Sequence, residues 1–510
     1  MTLLGFDLGT THLKLGLFGL DGRQLYLASR PNPASRHAQG YACYHPQEAW
    51  RQVQSLLDEA LGWLEAQGGE AVRAIGVASM AETGLLLDRR SGQERTPLLP
   101  WFDPLASAQA DELRQRFDLR ERFLATGLRA SFKCPLAKLL WLRENDPQAL
   151  EGAIWLSAAD YIAYRLCGEM GTDASLASRS CAFRIYEKHW EAELLSALGL
   201  PPDLFPVAQP AGQPLGGLRA EWARASLPAG TPVAVCGHDH VCAAFAAQTL
   251  LAGQTDQTRK VSQTFRVSFD SMGTAESLLG SLPARPLGQA EWRSGFSFGC
   301  FVRPGEMYWA SGLSTSGGAL EWLRGLLGDP PLSYAQLDAL LDGSPPAPGE
   351  IIFLPYLAGR GAPHNDPAAH GSFHGLSAAH GRADLYRAVL EGAAYEMEFA
   401  RRRAVALTGQ PIQQLAAAGG GTRNPRWLQI KADVSGCRVA VLPEAQAAAL
   451  GAALLAGLGS GVYPHYESCT AQVRRPSQVE YLPDPQRRAA YAAMYARFEA
   501  LIADPAGAAP

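Results

Sequence analysis

Residues 5–14 read GFDLGTTHLK: an apolar run carries an aspartate, Asp7, to a Gly-Thr-Thr turn, and a second apolar run follows at once. Working outward, LLGFDL, LKLGLFGL and QLYLAS are separated only by GTTH and DGR, which predicts three consecutive antiparallel strands. Residues 46–65 then place Trp50, Val53, Leu56, Leu57, Leu61 and Leu64 at helical spacing, and AIGVASM at 74–80 reads as a short buried strand. The resulting β-β-β-α-β order is that of an α/β layered fold. In the turn itself, the backbone amides and the hydroxyls of Thr10 and Thr11 can cradle phosphate oxygens. Lys14 adds positive charge, and Asp7 can hold Mg²⁺ directly or through water. A plain glycine-turn hairpin would carry the same residues.

Further along, a mainly helical stretch includes CPLAKLLWLREN and AADYIAYRLCG, until PVAVCGHD at 232–239 restores a strand and VCAAFAAQTLL follows as a helix. Residues 253–265, GQTDQTRKVSQTF, are polar and read as a connection between domains. The second half repeats the theme. FRVSFDSMGTAE is a strand entering a Gly-Thr turn, EMYWAS is strand-like, and a helix begins near Ser316. The strand IIFLPYL comes next, and a long amphipathic helix over about 383–407 closes at Gly409. The strand LAAAGGG, a helix from Pro425, the strand RVAVL and the small-residue helix AAALGAALLAGLG complete the chain's pattern. Two halves built alike, residues 1–252 and 253–510, predict a clamp that closes on a ligand held between them.

The chemistry-bearing residues sit at the ends of these strands. Gly273 and Thr274, in DSMGT, would face the first turn across the cleft as a second phosphate clamp, although an ordinary β-turn has the same composition. In CGHDH at 236–240 a buried strand delivers Asp239 to its carboxyl end just as a helix begins. A carboxylate there is costly unless solvated or used, and α/β active sites gather at such strand ends. Asp239 is therefore the candidate general base, with helix capping as its structural alternative. No HxxxH or Cys/His cluster completes a metal site around His238 and His240, so these read as structural or substrate-lining residues. The triple glycine in AAAGGGTRNPRW lets a flat ring approach the backbone, which suits adenosine, and Asn424 can hydrogen-bond it. The helix AAALGAALLAGLG reads as a close-packing helix rather than a ligand contact.

Bulk properties exclude other classes. At 510 residues the chain exceeds a single core, and 47% hydrophobic with 18% charged residues is an ordinary globular composition. A formal net charge of −4 shows no basic excess for nucleic acid or anionic membrane. No apolar run reaches the roughly 18 residues of a membrane span, and Asp7 falls where a secretory apolar region would be, so a cytoplasmic location is expected. Nine scattered cysteines without a CxxC pair read as reduced, buried thiols.

Taken in order, these motifs resemble the FGGY carbohydrate kinases over nearly the whole chain, from GFDLGTTHLK to YLPDPQRRAAYAAMYARF, with GSFHGLSAAHGRADLYRAVLE at 371–391 as the most specific match. The resemblance implies two ribonuclease H-like, actin-type domains with a cleft between them. It also implies ATP and Mg²⁺ as cosubstrate and cofactor, and a small neutral sugar, ketose or polyol as acceptor; it leaves a homodimer open. By similarity Asp7 organises Mg²⁺, Thr10 and Thr11 bind the β- and γ-phosphates, Gly273 and Thr274 form the second clamp, and Gly317, Gly420 and Asn424 lie along the nucleotide. Asp239 matches the catalytic base. Glu82, in SMAETG, matches the acidic residue that polyol kinases place on substrate hydroxyls, but the usual arginine beside it is Ala81 here. Asp103, in WFD, resembles the sugar-kinase pattern, with Leu105 where a basic residue is usual. The segment between Asp239 and Gly273 is longer than the family's. Two alternatives share parts of this pattern: an actin- or chaperone-like ATPase, and a sugar-binding pseudokinase whose ATP site has lapsed.

Overall fold

The structure is a computed structural model that describes residues 1–251, 267–343, 347–442, 447–474 and 479–503. The expected connection at 253–265, and with it the boundary at 252/253, lies outside the described residues.

Two sheets organise the molecule. The first has six strands in the order Pro214–Gly217, Pro232–His238, Val72–Ser79, Thr2–Leu8, His12–Gly19 and Gln24–Pro31. Thr2–Leu8 pairs antiparallel with His12–Gly19 and parallel with Val72–Ser79, which in turn runs parallel to Pro232–His238. The second sheet has seven strands: Ser297–Cys300, Glu306–Ala310, Glu276–Pro283, Val267–Met272, Gln414–Ala418, Arg438–Val441 and Glu480–Tyr481. It repeats the same core, with Val267–Met272 antiparallel to Glu276–Pro283 and parallel to Gln414–Ala418. The two-half reading of the sequence thus corresponds to two topologically equivalent sheets. Every residue of Thr2–Leu8 is buried, as befits a central strand covered on both faces.

The helix Pro46–Ala66 starts on a proline, which loses no hydrogen bond at that position, and buries Trp50, Val53, Leu56, Leu57, Leu61 and Leu64. The helix Arg382–Thr408 ends at Gly409 in the left-handed region, as its sequence predicts. The stretch read as mainly helical also contains an antiparallel strand pair, Gly84–Asp88 with Ala153–Ser157. Apolar runs as short as GLLLD and AIWLS carry no period that separates strand from helix.

The small-residue helix Ala447–Gly459 crosses over to pack on the first sheet. A Cβ added at Gly5 would lie 1.9 Å from the Ala449 carbonyl oxygen, and one at Gly76 would lie 2.1 Å from that of Ala452. Glycine in the strands and alanine in the helix allow this approach, and the core they share mixes residues from both halves, among them Leu3, Ala74, Val267 and Leu450. No helix among the described residues is long and apolar enough to cross a membrane, and all nine cysteines are buried free thiols.

Candidate active site

The first turn is braced from outside. Asn32 donates its side-chain amide to the Gly9 carbonyl at 2.9 Å and its backbone N–H to the Thr11 carbonyl at 2.8 Å, and the Tyr44 hydroxyl donates to the Thr10 carbonyl at 2.8 Å. Thr10 Oγ1 accepts from the Trp101 indole at 3.0 Å, whereas Thr11 is exposed. Asp7 ends its strand in register with Lys14, whose ammonium donates to Asp7 Oδ2 at 3.4 Å. Asp7 Oδ1 is buried with no hydrogen-bond partner among the described residues. Burial raises the proton affinity of Asp7, Lys14 works against this, and the negative charge of Asp239 raises it further. A buried, unsatisfied carboxylate oxygen next to a second carboxylate fits the oxygen donors that a hard divalent cation takes.

Asp239 stands at the first residue of the helix Asp239–Leu251, directly after the strand Pro232–His238. Its Oδ1 accepts the His240 backbone N–H at 2.7 Å and lies 3.1 Å from His238 Nε2. Burial opposes its charge, but His240 and His238 outweigh that cost and hold it down to about 2. His240 Nε2 in turn lies 3.4 Å from Ser271 Oγ, on the strand that leads to the second turn. The two histidines and Asp239 present ligand atoms within 4.8 Å of one another.

Glu82 sits in the left-handed region, at φ 60°, a conformation worth about 1–3 kcal/mol of strain in a non-glycine residue. Two groups hold it there. Lys138, fully buried, donates its ammonium to the Glu82 carbonyl at 2.6 Å and to the Leu99 carbonyl at 3.1 Å, so it ties the 82 and 99–103 loops together. Arg179 donates to Glu82 Oε1 through Nε at 2.8 Å and Nη2 at 2.5 Å. Arg179 Nη1 also reaches the Tyr308 hydroxyl at 3.1 Å, on a strand of the second sheet, so this contact joins the halves. Burial works against the charge of Glu82, but Arg179 and then His238 keep it ionised below the usual glutamate range. The arginine missing at Ala81 is thus supplied from position 179. The sequence reading missed Arg179, Lys138 and Tyr308; the one signal was that a buried Glu82 needs a cation its neighbours do not provide.

Asp103 has a different surrounding. Its Oδ2 accepts the Ala42 N–H at 2.6 Å and its Oδ1 the Leu105 N–H at 2.9 Å, as the cap of a short 3₁₀ turn. Both oxygens are therefore engaged in shaping the loop that also carries Trp101.

The second turn is stapled to a helix. The N–H of Gly317 donates to the Gly273 carbonyl at 3.0 Å, and those of Ser316 and Gly318 donate to the Thr274 carbonyl at 3.0 and 2.9 Å. A Cβ on Gly317 would come within 2.6 Å of the Gly273 oxygen, so only glycine allows the contact. Gly419, at φ 107°, begins the triple-glycine turn against Met272, and Gly420 lies in the 3₁₀ turn Gly420–Arg423. Asn424 is buried. Its oxygen caps the next helix by accepting the Trp427 N–H at 3.0 Å, and its amide donates to the Tyr386 hydroxyl at 2.6 Å and to Asp338 at 3.2 Å. Asn424, expected to lie along the nucleotide, thus engages its oxygen and amide in a helix cap and with two side chains.

Residues 2–246 match the N-terminal domain, and residues 289–460 the C-terminal domain, of the FGGY family of carbohydrate kinases. The chain belongs to the FGGY family. This FGGY kinase is 26% identical over 489 residues to the xylulose kinase of Bacillus subtilis (strain 168), covering 94% of this chain and 92% of that one. It is 31% identical over 479 residues to the glycerol kinase of Thermus brockianus, covering 90% of each. Among solved structures, the xylulose kinase from Rhodospirillum rubrum superposes with a TM-score of 0.83 at 29% identity, over 99% of this chain and 98% of that one. FGGY kinases are ATP-dependent phosphotransferases with a two-domain actin-like fold, and the activity of this one is phosphorylation of a sugar or polyol.

Proposed function

We propose that this FGGY kinase transfers the γ-phosphoryl group of ATP to a hydroxyl of a small neutral ketose or polyol, with Asp239 accepting the hydroxyl proton. The supporting observation is that Asp7, Asp239, His240 and the Glu82–Arg179 pair form one continuous chain of interacting charges in the first half, with Asp7 and Asp239 at strand ends. In the proposed step the bond from the γ-phosphorus to the ADP oxygen breaks, a bond from phosphorus to the acceptor oxygen forms, and the acceptor proton passes to the Asp239 carboxylate. A base held as low as about 2 is weak, which suits a loose transition state in which the hydroxyl proton departs late and alignment carries most of the catalysis.

Asp7, through its unsatisfied oxygen, is the residue that would hold Mg²⁺, whose charge offsets that of the β- and γ-phosphates. Thr10, Thr11 and Lys14 on one side, and Gly273, Thr274 and Gly317 on the other, form the proposed phosphate clamps, with Gly420 along the nucleotide. Glu82 and Arg179 together offer hydroxyls both an acceptor and donors, and because they neutralise one another they attract no net charge. Asp103 and Asn424 act at one remove, by shaping the loops that carry Trp101 and the triple glycine. We assign residues 1–252 and 253–510 to the two catalytic halves, with the helix Ala447–Gly459 reaching across as the back wall of the first.

A coupled ADP-release screen against pentuloses, hexuloses, aldoses, pentitols, erythritol and glycerol tests the reading. Turnover with a neutral ketose or polyol is expected. A sugar acid as the best acceptor, or ATP hydrolysis unaffected by any acceptor, would sink it.

A further inference from the structure

A second cavity, of about 1570 Å³, opens between the two halves, and none of its lining residues carries the catalytic carboxylates or belongs to either phosphate turn. One wall comes from residues 113–136 of the first half; the other comes from residues 289–295, 354–369 and 399–403 of the second. Six arginines line it against two carboxylates, Asp366 and Glu499. Arg114 and Arg122 are paired with Asp111 and Glu191. Of the other four, Arg360 and Arg403 both sit at Phe399.

The Arg360 and Arg403 guanidiniums both lie on the Phe399 ring, at 5.3 and 4.6 Å from its centre. Arg360 is a built element of the wall, its side chain only 9% exposed. Its Nε donates to Glu396 Oε1 at 3.2 Å, while its Nη2 is enclosed with no hydrogen-bond partner among the described residues. Arg129, from the opposite wall, stacks over Phe123 and Trp292 and donates to the Trp292 and Phe296 carbonyls. Two guanidiniums on one ring repel each other, and an enclosed N–H without an acceptor costs about 1–3 kcal/mol. Burial, and then the like charge of Arg360, lower the proton affinity of Arg403 in spite of Glu499 and Glu396. An anion between the two guanidiniums would relieve their repulsion. A planar guanidinium fork matches the oxygens of a phosphoryl group, and the apolar part of the lining, Leu128, Trp292 and Phe399 among it, suits a carbon skeleton.

We propose that this cavity is a binding site, separate from the ATP and acceptor sites, for a small phosphorylated metabolite whose phosphoryl oxygens sit on Arg360 and Arg403. Inorganic phosphates and sugar phosphates share this recognition chemistry. Calorimetric titration of the full-length enzyme, with its nucleotide site filled by ADP, tests it with two probes in separate arms: inorganic pyrophosphate and a hexose monophosphate. At least one probe should bind one site per chain without displacing ADP. Binding of the hexose phosphate alone identifies a sugar phosphate as the ligand, and binding of pyrophosphate a bare phosphoryl group. Arg403→Gln should weaken the binding about tenfold or more while leaving the ATP KM within twofold. Arg360→Leu should do the same; because it strands the buried Glu396 and can fail to fold, Arg403→Gln carries the test. No saturable binding in either arm, an unchanged affinity in Arg403→Gln, or loss of the signal on raising ADP would overturn the assignment.

Discussion

The ammonium of Lys431, on the helix Pro425–Ser435, is entirely buried and lies 2.8 Å from Asp270 Oδ2 and 2.5 Å from Glu276 Oε1, both carboxylates also being buried. Glu276 Oε2 accepts the Ser316 hydroxyl at 2.6 Å, and Ser316 N–H closes on the Thr274 carbonyl, so the triad braces the Gly273–Thr274 turn. Lys431→Met removes the cation that pairs with both acids and leaves their charges without it, although the Ser316 hydroxyl still donates to Glu276. Breaking a buried pair in this way costs about 3–5 kcal/mol. Glu276 mitigates the loss: burial, and then Asp270, already push it up to about 7, so near neutrality it can take up a proton. The lower end of that range, about 3 kcal/mol, is therefore expected at pH 7, with the loss growing as the pH rises and Glu276 is driven to its charged form. Urea denaturation followed by tryptophan fluorescence measures this, with the triple variant Asp270→Asn, Glu276→Gln, Lys431→Met as control, since replacing all partners removes the stranded charges. The ATP KM should rise several-fold and the acceptor KM should stay put. A single variant within about 1 kcal/mol of wild type at pH 8, or a triple variant no more stable than the single one, would refute the reasoning.

Asp239→Asn should lower kcat by about 10²- to 10⁴-fold with ATP affinity retained. Because His240 and His238 overcome burial to hold Asp239 at about 2, the wild-type pH–rate profile should show no acid limb from this residue above pH ~4. Glu82→Ala and Arg179→Ala should each raise the acceptor KM with the ATP KM within a few-fold. Asp103→Ala should have the smaller effect, because its oxygens are occupied by the Ala42 and Leu105 amides; equal effects in a KM comparison would contradict that ranking. Burial raises Asp160 from 3.8 to about 7 and Glu391 from 4.5 to about 7. Between those limits the folded chain binds more protons than the unfolded one, so this contribution to stability is present below pH ~4 and lost as the pH rises through 7. The urea midpoint of Asp160→Asn should accordingly depend less on pH between 5 and 8 than that of wild type. Small-angle scattering should show compaction with acceptor plus a non-hydrolysable ATP analogue, since the two turns proposed as phosphate clamps lie on different halves.

Much of this protein was legible in its sequence because the deciding signals are local. Alternation of apolar residues with glycine turns marked the strands around Asp7 and Asp270. The spacing of Trp50 through Leu64 marked a helix. A carboxylate at the end of the buried strand PVAVCGH marked Asp239, because charge at such a place must be used or compensated. The structure kept each of these where the pattern put it. Tertiary structure alone decided how the carboxylates are partnered. Arg179 reaches Glu82 across 97 residues, Lys138 reaches its carbonyl across 56, and Lys431 reaches Asp270 across 161, distances over which periodicity carries no information. Only the placement of neighbouring elements could show that Asp103 spends its oxygens on loop amides, and Asn424 its polar atoms on a helix cap, the Tyr386 hydroxyl and Asp338. The helix Ala447–Gly459 makes the same point. Its small residues announced close packing, but that the partner would be the sheet of the other half followed from the glycines at 5 and 76, whose missing side chains are the space the helix occupies.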